Sequence, residues 1–153
     1  MTASPPPADA AAQLRWLVDR AQIADLLVEM ARALDARDGA AYAALFTEDG
    51  VLRLPGASQE GRAELAAGVH DALGGYGAVW HLSANHAIDI TGDEARTRSY
   101  VIGVHRLRDD LADHADMAGW YDGTLRRTPD GWRFGSLTAH GVWTSGSDAL
   151  PHA

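Results

Sequence analysis

A chain of 153 residues with 46% hydrophobic and 22% charged side chains has the size and composition of one folded domain, and is too apolar for a disordered protein. Its net charge of -8, with no basic patch to offset it, repels phosphate backbones and anionic lipid surfaces, so neither nucleic acid nor membrane is an expected partner. Cysteine is absent, which removes disulfides, thiolate nucleophiles and thiolate metal sites.

Residues 1–8 include Pro5-Pro6-Pro7, and consecutive prolines bar helix, so a disordered N-terminal tail is expected before a single domain over 9–144. No basic-then-apolar leader pattern is present and no apolar run approaches the ~20 residues of a membrane span, so a cytoplasmic location is expected. From Asp9 onward, Leu14, Leu17, Val18, Ile23, Leu26, Leu27, Met30, Ala31 and Leu34 recur at spacings of three and four, the stripe of a long amphipathic helix. Asp35 follows four residues after Ala31 and eight after Leu27, so a carboxylate continues the apolar face. A carboxylate is disfavoured at the negative end of a helix, and local rules give no reason for it beyond a bond to nearby backbone, Arg32 or Arg37. Asp38 reads instead as the N-cap of a short second helix over 39–46.

Glu48-Asp49-Gly50 reads as a turn, Val51–Leu54 as a short strand closed by Pro55-Gly56, and 61–73 as a third helix with Leu65, Val69 and Leu73 inward. Four strands are expected next, over 79–90, 95–107, 115–127 and 131–143, separated by 91–94, the acidic loop 108–114 and 128–130. Helices followed by a meandering antiparallel sheet make an α+β fold. Residues 145–153 are expected to be a tail or a flap. Trp80, Trp120, Trp132 and Trp143 are expected mainly in the core, with one or two walling a pocket, and Arg126-Arg127 as a solvated doublet.

On the first long strand, alternation puts His81, Ser83 and Asn85 on one face, opposite Trp80, Leu82, Ala84, His86 and Ile88. A polar strand face in an apolar domain suits a pocket, and His86, on the apolar side, reads as a packed or edge histidine. An imidazole titrates near neutrality, and a carboxylate on its second nitrogen fixes its tautomer and stabilises its charged form, so Asp35 and His81 are candidate orienter and general base. Whether His105 shares that face depends on the turn: if Gly92-Asp93 alone connects the strands, position 81 faces Val104, whereas a three-residue loop or one bulge brings the two imidazoles side by side. The histidines are numerous but show no metal-ligand spacing, so no metal is expected; no serine-nucleophile elbow or phosphate-binding glycine loop is present either.

Five segments in order, 34–38 (Leu-Asp-Ala-Arg-Asp), 45–50 (Leu-Phe-Thr-Glu-Asp-Gly), 81–85 (His-Leu-Ser-Ala-Asn), 88–95 and 130–134 (Asp-Gly-Trp-Arg-Phe), make the stretch from Ala21 to Trp143 resemble the SnoaL-like branch of the nuclear transport factor 2-like superfamily, with its polyketide cyclases, scytalone dehydratase and hexachlorocyclohexane dehydrochlorinase. The resemblance implies a cone-shaped fold, N-terminal helices packed on a curved, mostly antiparallel sheet around a pocket, and a homodimer or homotrimer. It also implies a catalytic dyad at Asp35 and His81 and a proton donor at His105. It departs at Leu34 and Leu54, where scytalone dehydratase carries tyrosines that polarise the substrate, while its pocket asparagine falls near Tyr121.

The resulting expectation is a cofactor-free lyase or cyclase, dehydratase- or polyketide-cyclase-like, acting on a small hydrophobic carbonyl compound through Asp35, His81 and His105, with Asn85, Tyr121, Ser83 and Trp80 binding substrate. The alternatives are a non-catalytic ligand-binding or assembly module of the same fold and a ketosteroid-isomerase-like isomerase.

Overall fold

A computed structural model describes residues 5–107 and 113–146. Helix α1 (Ala10–Ala36) starts at Asp9, whose carboxylate accepts the Ala12 N–H at 2.9 Å, and ends at Arg37, which adopts a left-handed φ of 54° and returns its N–H to the last turn. Its stripe is buried only from Ile23 onward; Leu14, Leu17 and Val18 are exposed. The reason is placement: the first side-chain bonds from α1 to the sheet are those of Asp19 and Arg20. Helix α2 (Gly39–Ala44) is capped by Asp38 as expected, and a Cβ at Gly39 would lie 2.3 Å from the Ala66 carbonyl oxygen, so glycine there lets α2 rest on α3 (Gly61–Leu73).

The strands are β1 (Phe46–Leu54), β2 (Ala57–Glu60), β3 (Ala78–Thr91), β4 (Glu94–Arg106), β5 (His114–Thr128) and β6 (Gly131–Gly146). They form one sheet in the order β2-β1-β6-β5-β4-β3, antiparallel except for the parallel β1–β6 pair. The architecture is the α+β one expected, with the three helices preceding most of a mixed, mostly antiparallel six-stranded sheet. β1 is longer than its apolar residues suggested, because Phe46 pairs with Phe134; the Glu48-Asp49-Gly50 segment expected to be a turn is part of the strand, where the register with β6 shifts between Phe46 and Val51. β2, with only polar and small residues, carries no strand signal of its own; it forms as the hairpin partner of β1. Most of the acidic loop (108–112) and the end of the chain (147–153) lie outside the described residues, while Ser145 and Gly146 complete β6.

Burial alternates along β4, with Ala95, Thr97, Ser99, Val101, Gly103 and His105 on the inner face. One end of this face is closed by Leu125, Phe134, Leu137, Phe46 and Trp132 packed against Ile23, Leu27 and Leu65, each burial contributing about 1.5–3 kcal/mol. Of the four tryptophans expected in the core, only Trp132 is fully buried; strand parity puts Trp80 (53% exposed) and Trp143 (49% exposed) on the outer face. Arg127 is not simply solvated. It forks onto Asp19 at 2.6 and 2.7 Å, bonds Asp93 at 2.9 Å and covers the Trp132 ring, tying α1 to the sheet; Arg126 bonds Asp49.

Candidate functional site

The geometry of the site begins with an extra residue in β3. The turn is the two-residue one, Thr91 pairing with Glu94, which by itself would set His81 against Val104. Between Ala84 and Ala87 the register slips by one: Asn85 and His86 together oppose Ser99, and Asn85 takes a left-handed φ of 52°. His81 therefore pairs with Gly103, and His105, two residues on, lies on the same inner face. The two imidazoles meet edge to face with ring centroids 5.3 Å apart.

Gly103 is what lets them meet. A Cβ there would lie 2.9 Å from His105 Cε1 and 3.2 Å from His81 Cδ2. Asp35, in the last turn of α1, reaches across to β3, and its Oδ1 accepts the His81 Nδ1–H at 2.8 Å. The local alternatives for Asp35 are not taken: Arg32 bonds Glu29, and the helix carbonyls are satisfied by the Arg37 and Asp38 N–H groups. The His81 side chain is 5% exposed, Asp35 29%. With Nδ1 protonated and held by the carboxylate, His81 Nε2 is left with a lone pair and no partner among the described residues.

His105 is buried, donates Nδ1–H to the Ala115 carbonyl at 2.8 Å and packs against the Tyr76 ring at 4.9 Å. Burial holds its pKa below the usual histidine value, outweighing the Ala115 bond. The neutral ring thus keeps Nε2 as an acceptor, and it donates from Nε2 only when charged. Burial also lowers the pKa of His86. Because both groups bind a proton more weakly folded than unfolded, the stability they contribute is present above the unfolded histidine pKa of about 6.5 and is lost as pH falls below it. The thermal midpoint is expected to drop between pH 7.5 and 5.5; a flat profile there would refute the burial of these two rings.

Beyond the histidines the inner face is open. Small residues replace packing: Gly119 and Gly141 pair across β5 and β6, Ala139 faces Tyr121, and a Cβ added at Gly141 would meet nothing within 4 Å. Tyr121 is only partly buried although it lies on the inner side, and Gly141 and Thr144 are exposed. Between the Asp35–His81 pair and Gly141 on β6 the inner face is thus only partly covered by core side chains, a shallow hollow bordered by Met117, Tyr121, Gly141 and Thr144.

Ser83 faces inward beside His81 and bonds His86 Nε2 at 2.9 Å. His86 is therefore not on the apolar side: the bulge turns it onto the Ser83 face. Asn85 is displaced by the same bulge to an exposed position, and Trp80 lies on the outer face opposite His81, so neither lines the hollow as expected. Tyr76 and Gly103 are the residues that sequence reasoning missed. Gly103 had one available signal, a glycine in mid-strand, which marks a close approach.

Among the described residues, no group of three or more His, Cys, Asp or Glu side chains could hold a metal ion, and no helix is long and apolar enough to cross a membrane. Two surface cavities lie apart from the dyad. One of 580 Å³ runs over the outer sheet face by Asp89, Glu94, Arg96 and Arg126, and one of 310 Å³ lies at the α1–α2 junction.

The model of the SnoaL-like domain family matches residues 15–138. The chain belongs to the SnoaL-like family. An uncharacterised protein of Mycobacterium tuberculosis is 28% identical over 117 residues, 75% of this chain and 80% of the relative. Among solved structures, a protein of Novosphingobium aromaticivorans provisionally named an aromatic ring hydroxylase is 31% identical, with a TM-score of 0.78 over 86% of this chain and 94% of that one. A second protein of that organism, described as NTF2-like with a cystatin-like fold, is 29% identical, with a TM-score of 0.78 over 94% and 95%. A third, provisionally named a scytalone dehydratase, is 23% identical, with a TM-score of 0.78 over 87% and 90%, a likeness of fold alone.

Proposed function

We propose that this SnoaL-like domain is a cofactor-independent lyase or cyclase whose first step is proton abstraction next to a carbonyl of a small hydrophobic substrate. The observation that carries this reading is the 2.8 Å bond from His81 Nδ1 to Asp35 inside the hollow. His81 Nε2 takes the carbon-bound proton, the C–H electron pair passes toward the carbonyl oxygen, and Asp35 stabilises the imidazolium that forms. His105, 5.3 Å away ring to ring, delivers a proton to the leaving or closing oxygen when it is charged. Its lowered pKa places that delivery on the acidic side of the ordinary histidine range. The open space at Gly141, where a Cβ would meet nothing within 4 Å, suits a flat ring compound.

The test is hydrogen–deuterium exchange at the carbon next to the carbonyl of 2-tetralone, followed by NMR in heavy water. The protein is expected to accelerate exchange well above buffer. Binding of 2-tetralone with no acceleration would instead favour the ligand-binding module.

A further inference from the structure

Helix α1 carries apolar residues on two opposite faces. Ile23, Leu26, Leu27 and Met30 are buried in the core. At about 100° per residue, Leu14, Leu17, Val18, Ala21 and Val28 fall on the far side of the helix, where Leu14, Leu17, Val18 and Val28 are 64, 56, 47 and 44% exposed. The step of five from Val18 to Ile23 is where the apolar pattern changes face. An apolar stripe left in water by a helix already buried on its other side, about 21 Å long from Leu14 to Val28, marks a surface built to pack against a partner.

The charges on this face select the partner. Arg15 borders the stripe near its start and Asp25 lies within it near its end; both are exposed, and neither is bonded to any described residue. From 14 to 28 the charged residues are Arg15, Asp19, Arg20 and Asp25, which cancel, so a chain of net charge -8 presents here a neutral stretch that a second copy can approach without repulsion. Antiparallel pairing about a twofold axis at Ala21 sets Leu14 against the partner's Val28. It also brings Arg15 level with position 27 of the other helix, on the same flank as the partner's Asp25. Parallel pairing would leave the two charges about 15 Å apart along the helices. The small side chain of Ala21 at the axis lets the two backbones approach closely.

We propose that the solvent face of α1 docks α1 of a second copy of this chain, the two helices packing antiparallel through Leu14, Leu17, Val18, Ala21 and Val28, with Arg15 of each copy paired to Asp25 of the other. The interface is isologous, so every contact occurs twice. One helix from each copy makes a small interface, below about 1,200 Å² in total, and dissociation in the micromolar range is expected. None of these residues belongs to the site at Asp35 and His81, so the helix pair and the proton-abstraction reading fail independently of each other.

Sedimentation equilibrium of the full chain between about 1 and 200 μM is expected to show reversible self-association. Leu17→Glu, which puts a carboxylate into the stripe of both copies, is expected to halve the mass of the associated particle. Arg15→Glu and Asp25→Arg are each expected to weaken association by about 5- to 30-fold, since the twofold axis counts each lost pair twice. The double variant restores both pairs with their signs exchanged and is expected to regain the wild-type value. All three residues are exposed, so the fold is expected to survive each change, and thermal melting checks this. Leu82→Glu, on the outer sheet face, is the comparison. A wild-type protein that sediments as a single chain at the highest concentration, or a Leu17→Glu protein that associates as the wild type does, would overturn the helix pair. A double variant no better than Arg15→Glu alone would overturn the antiparallel pairing, and association lost in Leu82→Glu but kept in Leu17→Glu would place the contact on the outer sheet face instead.

Discussion

Replacing His81 with alanine is expected to slow proton exchange on 2-tetralone by about 10²–10⁴-fold, the usual contribution of a positioned general base. Asp35→Asn should fall in the same range, because an amide can donate to Nδ1 and hold the ring in the tautomer whose Nε2 carries the proton. The stability consequence runs the other way. Asp35 lies at the negative end of α1 and is partly exposed, so removing its charge relieves an unfavourable helix-end interaction of about 0.3–1 kcal/mol. The Asp35→Asn protein should therefore be inactive with an unchanged or slightly raised thermal midpoint. A structural carboxylate would behave in the opposite manner, losing stability while leaving exchange intact.

The second large effect concerns a residue that does not line the hollow. Deleting Asn85 removes the extra residue of β3, and the hairpin then reverts to the register dictated by its two-residue turn, with position 81 against Val104. His81 would point to the outer face and Trp80 inward. Exchange activity is expected to fall to the level of His81→Ala, with a marked loss of stability as an exposed indole is forced toward Asp35. Substitution without deletion gives the control. Asn85→Gly keeps the bulge, since glycine reaches the φ of 52° freely, and should retain activity. Asn85→Val, whose branched side chain resists that conformation, should lose about 1–2 kcal/mol. Full activity in the deletion variant would mean that the bulge does not set the face of His81.

The dyad could be read in the sequence because each member violates a local expectation. Asp35 places a charge on an apolar helix stripe, and His81 begins a polar run on a strand. The bulge could not be read, since nothing in Ala84-Asn85-His86 distinguishes a kinked pair from regular alternation, and a single inserted residue reversed the expectation for everything on the far side of it. That is why Asn85 moved out, His86 moved in, and the relation of His81 to His105 stayed open at the level of sequence. The tryptophans misled for a related reason. Hydrophobicity alone suggests burial, but the parity of the sheet leaves Trp80 and Trp143 on the outer face, next to exposed Leu82, Tyr100, Ile102 and Val142. β2 was invisible because a short hairpin partner is held by ladder bonds to β1 rather than by its own side chains.

The account depends on one proton. Nitrogen-15 NMR of the imidazole rings reports directly which nitrogen of His81 carries it. The expected spectrum shows a protonated Nδ1 with a downfield, slowly exchanging proton, an unprotonated Nε2, and loss of that downfield proton in Asp35→Ala. A His81 ring protonated at Nε2, or one whose signals are indifferent to Asp35→Ala, would contradict the assignment of His81 as a base oriented by Asp35.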